Sequence, residues 1–172
     1  NTVLHMYSNT FGGCLALEDV QLNDGLLDFG INAFYNCPSL TSIVIPNTVT
    51  VMGDHCFKGC SNLKSVVIGS KVTVTGVEAF IDCKSLEDLT IMDGCTSISR
   101  YTFQGCTALK EISIPGSVKN IYRGAFKECT ALESVTLAEG ILNIGTSDYS
   151  NSGYGVFAGC KSLKSIKFPS TI

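Results

Sequence analysis

Short runs of alternating apolar and polar residues recur along the chain at a fixed interval. In Ser42-Ile-Val-Ile45, Ile43 and Ile45 fall on one side of an extended segment, the period-two pattern of a half-buried strand. The alternation returns at even steps with Val66 and Ile68, Leu89 and Ile91, Ile112 and Ile114, and Val135 and Leu137. A turn follows, through Pro46, Pro115 and Pro169 in three copies; proline lacks an N–H and suits a strand end. A second extended piece, such as Val49 to Met52, leads to a slot held by Gly30, Gly53, Gly76 and Gly145. Glycine there predicts a backbone bend that a Cβ would hinder. The segment Ala33-Phe-Tyr-Asn-Cys37 predicts one helical or 3₁₀ turn.

The same clock governs the triplet Phe-x-x-Cys-x-x-Leu, which occurs seven times. Its cysteines are Cys14, Cys37, Cys60, Cys83, Cys106, Cys129 and Cys160. The first six copies are evenly spaced, and the last step is longer by eight residues, which marks an insertion. Twelve residues after the cysteine stand Leu26, Val49, Val72, Cys95, Val118, Ile141 and Ile172. Nineteen after it the residue is small: Ala33, Cys56, Ala79, Thr102 and Ala125. A 23-residue period marks a solenoid, in which each unit buries its apolar side only by stacking on its neighbours. Coils of equal length place equal positions in register, so neighbouring strands lie about 4.8 Å apart and seven of them make a parallel sheet roughly 34 Å long.

The copy Leu109-Lys-Glu-Ile-Ser-Ile-Pro-Gly-Ser-Val-Lys-Asn-Ile-Tyr-Arg-Gly-Ala-Phe126-Lys-Glu-Cys129 resembles the BspA-like class of leucine-rich repeats. It departs from the class at Tyr122, where glycine is preferred. The resemblance spans essentially the whole chain. It implies a leucine-rich repeat solenoid: a right-handed superhelix of 23-residue coils, with one parallel β-sheet on the concave face and short strands and helical turns on the convex side. It also implies a surface protein of bacterial or protozoan type, extracellular or at the cell surface, used in adhesion to host proteins or other macromolecules. Residues 1–172 are expected to be one repeat array, with partial repeats at both ends and an insertion at about 146–153. No polar capping repeat is visible, and solenoids need caps for solubility, so the array is expected to continue into further repeats.

Composition narrows the partners. Hydrophobic residues make up 45% and charged residues 16%, and the net charge is −3. Lys and Arg do not cluster, so the electrostatic footprint of nucleic-acid binding is missing. No apolar run reaches the length of about 18 residues that a membrane span needs. Residues 1–10 lack the basic start and apolar stretch of a signal peptide.

Candidate chemistry is sparse. Nine cysteines and two histidines are present. Seven cysteines share one repeat position, which predicts a column of buried free thiols acting as small hydrophobes. His55, Cys56 and Cys60 have a faint metal-cluster look, but a closed zinc site needs four ligands and the other histidine is the distant His5. No nucleophile–base pair stands out, Asp24-Gly25 and Asp93-Gly94 read as turns, and Gly12-Gly13 lacks the Lys-Ser/Thr of a phosphate loop. The expectation is therefore no catalysis, no metal and no cofactor.

What remains is surface. Outward strand residues of a solenoid line an extended binding face. Two columns define it here: Asp19, Ser42, Ser65, Asp88, Glu111, Ser134 and Ser165, and beside them Gln21, Val44, Val67, Thr90, Ser113, Thr136 and Lys167. Val44 and Val67 with Pro46 and Met92 form a modest apolar patch. The insertion is rich in Gly, Ser, Asn and Asp, as loops are, and Tyr149 and Tyr154 make it a second candidate binding element. The expected function is a non-enzymatic protein-binding module; the alternative is a structural spacer or assembly subunit.

Overall fold

A computed structural model describes residues 3–146 and 155–170. Its strands fall into two parallel ladders. The first holds β3 (Ser42–Val44), β5 (Ser65–Ile68), β6 (Asp88–Ile91), β8 (Glu111–Ile114), β10 (Ser134–Leu137) and β12 (Ser165–Lys167). The second holds β1 (His5–Met6), β2 (Asp28–Phe29), β4 (Val51–Met52), β7 (Ser97–Ile98), β9 (Asn120–Tyr122) and β11 (Asn143–Thr146). Pairing follows the repeat: Ile43 lies opposite Val66 and Val66 opposite Leu89, and Val135 stands between Ile112 and Ile166. In the second ladder single bridges through Val74 carry β4 across to β7.

The inward columns are the core. Phe34, Phe57, Phe80, Phe103 and Phe126 are fully buried, as are Leu40, Leu63, Leu86, Leu109 and Leu132. The rings of Phe57 and Phe80 are 5.1 Å apart and 1° from parallel, and Phe80 and Phe103 are 5.4 Å apart at 7°. This is the coil-to-coil repeat written in side chains. Phe29 adds an edge-on contact to Phe34 and Phe57.

Two features differ from expectation. First, the segment before each cysteine is not helical: no helix occurs among the described residues. Residues five and one before the cysteine have left-handed backbones, as in Asn32 and Asn36, His55 and Gly59, Glu78 and Asp82, and Tyr101 and Gly105. A right-handed helix cannot pass through such residues. Their amides, with that of the phenylalanine between them, donate to the following coil: Asn32 N to Asp54 O at 3.0 Å, Phe34 N to Cys56 O at 2.7 Å and Asn36 N to Lys58 O at 2.8 Å. Bonds between coils replace the i to i−4 bonds of a helix.

Second, the seven-strand sheet is six strands in two runs of three, β3-β5-β6 and β8-β10-β12. Asp19 to Leu22 pair with nothing as a strand. Proline fills the strand-end slot at both breaks, but Pro169 in the same slot leaves β12 paired with β10. Met92 N donates to Ile68 O, and Ala138 N to Ile114 O, both at 3.0 Å. Pro115 occupies the equivalent position and has no N–H to offer Ile91 O. Pro46 likewise offers nothing to Leu22 O.

Candidate interaction face

The outward columns stand as the register requires. Ser42, Ser65 and Asp88 are neighbours on β3, β5 and β6, and Val44, Val67 and Thr90 run beside them. Glu111, Ser134 and Ser165, with Ser113, Thr136 and Lys167, do the same on β8, β10 and β12. Asp19 and Gln21 are exposed but belong to no strand. Val44 is 61% and Met92 40% exposed, whereas Val67 is half-buried. Pro46, expected in the same patch, is buried. Tyr149 and Tyr154, the aromatic pair of the insertion, lie outside the described residues.

The face has a discontinuity that residue patterns do not disclose. Where β6 and β8 fail to pair, a cavity of about 370 Å³ opens, lined by Glu87, Asp88, Leu89, Thr90, Glu111, Ile112, Ser113, Ser134 and Thr136. Leu89 is only half-buried beside it, although its neighbour Val66 is fully buried. The available signal is Pro115 together with acids at one repeat position of adjacent coils. The flanking column alternates in sign: Lys64, Glu87, Lys110, Glu133 and Lys164. A 2.7 Å hydrogen bond from Lys164 Nζ holds the Glu133 carboxyl below its usual range, with the Lys164 charge and then Lys110 adding to it.

The larger cavity, about 590 Å³, lies against the first coil and is lined by Met6, Phe11, Val20, Leu22 and Leu26 among others. Those residues belong to the columns that form the core in later coils.

The cysteine column has a structural explanation. From Cys37 onward each thiol of the column donates to the phenylalanine carbonyl of the preceding coil: Cys60 Sγ to Phe34 O at 3.2 Å, Cys83 to Phe57 O at 3.3 Å and Cys106 to Phe80 O at 3.4 Å. A small apolar side chain with a weak donor fits this slot. Burial pushes Cys60 up to about 12 and Cys95 to about 11, and raises Cys56, Cys83 and Cys106 as well. Cys129 rises first through its hydrogen bond with Cys160, then through burial; that same bond lowers Cys160, which is half-buried. A lower pKa means more reactive thiolate at a given pH. Brief iodoacetamide treatment of the native protein near pH 8, read by peptide mass spectrometry, is therefore expected to label Cys160 and the half-buried Cys14 first. Equal labelling of Cys83 would contradict the buried ladder.

The remaining candidates disperse. His55 points to Glu78, with Nε2 3.4 Å from the carboxylate, while Cys56 and Cys60 are fully buried. His5 Nδ1 lies 2.7 Å from Asp28 Oδ2 at the exposed end of the second ladder. The buried hydroxyls of Thr75 and Thr102 bond each other at 3.0 Å, and Thr102 also donates to Gly76 O and Ser99 O. That cluster is satisfied within itself.

A sequence-family model described as BspA type leucine-rich repeat region, in six copies, matches residues 1–110. A leucine-rich repeat protein from Bacteroides ovatus superposes with a TM-score of 0.83 at 27% identity, over 99% of this chain and 42% of that one. The T. pallidum leucine-rich repeat protein gives 0.73 at 26% identity, over 96% and 75% of the two chains. A leucine-rich cell surface protein from Faecalibacterium prausnitzii gives 0.56 at 22% identity, over 96% and 57%; that likeness speaks to fold alone. The chain thus spans less than half the length of the first of these proteins. No curated protein matches it.

Proposed function

The chain belongs to the BspA-type leucine-rich repeat family, and from that premise we propose that it is a non-enzymatic protein-binding module. Its binding surface is the outward face of the first ladder, in a cell-surface or secreted protein that adheres to another macromolecule. One observation carries this reading: strands in fixed register present contiguous columns of exposed side chains, among them Val44 at 61% exposure, on a rigid stacked core. Clustered exposed apolar residues with a polar rim are a feature of interaction sites. The compartment rests on the family.

The test is a triple variant, Val44→Lys, Val67→Lys and Met92→Lys. Its circular dichroism and melting midpoint are expected to match the parent, because these side chains point outward. Capture of the partner by the immobilised array is expected to fall at least about tenfold, since charge in an apolar contact is costly to desolvate. Undiminished capture would favour a spacer or assembly subunit.

A further inference from the structure

The first ladder opens at one place, between β6 and β8, and the residues around the opening are not arbitrary. In the outward column that begins at Asp19, acids occupy adjacent coils only at Asp88 and Glu111; every other coil-to-coil step includes a serine. Like charges opposite each other on neighbouring strands repel. Neither carboxylate has an ion-pair partner among the described residues. The opening is therefore rich in hydrogen-bond acceptors: two unpaired carboxylates with Glu87 beside them.

We propose that this opening, with the apolar surface of Val44, Val67 and Met92 beside it, seats an extended polypeptide segment that carries lysine or arginine. The cation supplies donors and no acceptor, which is the complement of the lining. Neighbouring apolar side chains of the segment cover Val44 and Met92. A lone inorganic cation would leave that apolar surface untouched, which is why the occupant is a polypeptide. The proposal rests on the binding-face reading above and adds the chemistry of the partner.

The probes are two fluorescein-labelled octapeptides, one alternating lysine and valine, the other alternating glutamate and valine, followed by fluorescence anisotropy. The lysine peptide is expected to bind and the glutamate peptide not. Asp88→Asn with Glu111→Gln is expected to weaken the lysine peptide about tenfold, the scale of two exposed ion pairs. Molar salt is expected to weaken it similarly, since the Debye length there is about 3 Å. Equal binding of both peptides, or full retention in the Asn/Gln variant, overturns the proposal. So does a calorimetric signal for calcium chloride without binding of either peptide, which would make the opening a cation site. If Val44→Lys and Val67→Lys abolish capture of the natural partner while the lysine peptide is ignored, this inference fails alone and the proposed function stands.

Discussion

Phe80→Ala is expected to lower the stability of the array by about 3–5 kcal/mol, the usual cost of deleting a buried aromatic ring. Phe80 is fully buried between two rings, Phe57 at 5.1 Å and Phe103 at 5.4 Å, nearly parallel to both. Truncation removes its apolar burial and two stacking contacts, each worth about 0.5–1.5 kcal/mol beyond area. The backbone resists collapse into the space, because the amides of Glu78, Phe80 and Asp82 are tied to the next coil. Phe11, at 37% exposure with one stacked neighbour, is the internal control and is expected to lose far less on truncation. Urea denaturation followed by circular dichroism measures both. Since a solenoid couples only nearest neighbours, the Phe80 variant is also expected to broaden the transition as its two sides begin to melt separately. Similar small losses at both positions would mean that the phenylalanine column is not the spine of the core.

Gly53→Ala is the second large effect, and it acts through the backbone. A Cβ at Gly53 would stand 2.6 Å from Ile31 N and closer still to Gly30 C and O. All three are main-chain atoms that cannot rotate away. The coils must therefore separate locally, breaking the pairing of β2 with β4. Overpacking of a tight site costs about 1–3 kcal/mol, and more when backbone must yield, so a loss of about 3 kcal/mol or more is expected. The neighbouring coils make the comparison: the same slot holds Ser99 and Tyr122, and Ser99 N is bonded at 2.9 Å to Thr75 Oγ1. Ser99→Ala, at a position that already carries a Cβ, is expected to cost about 1 kcal/mol, the net worth of the buried hydrogen bond that Ser99 Oγ donates to Thr75 O. A parental melting midpoint for Gly53→Ala would show that the glycine column does not mark close approach.

Much of the molecule is legible before any coordinates. The repeat interval sets which residues stack, and it correctly turns Phe34, Leu40, Ile43, Ile45 and Val49 inward. It also places Ser42 beside Ser65 and Val44 beside Val67. These are properties of one coil repeated, and the period-two and small-residue signals that carry them are local. The expected helical turn fails for a reason that is not local: nothing within Ala33 to Cys37, such as a proline, forbids a helix. What forbids it is the left-handed backbone of Asn32 and Asn36 and the bonding of their amides to the next coil.

The candidate site divides in the same way. Outward columns follow from strand alternation, so the exposed columns on β3 to β12 of the first ladder are named by sequence alone. The opening between β6 and β8 is not, because Asp88 and Glu111 stand a full repeat apart and read singly as ordinary exposed acids. Pro115 read singly is an ordinary strand end. Only stacking brings the two carboxylates to one opening. Sequence determined the coil, its core and its outward columns; tertiary structure decided where neighbouring coils meet and where they part, since that depends on hydrogen bonds and charges between residues in different coils.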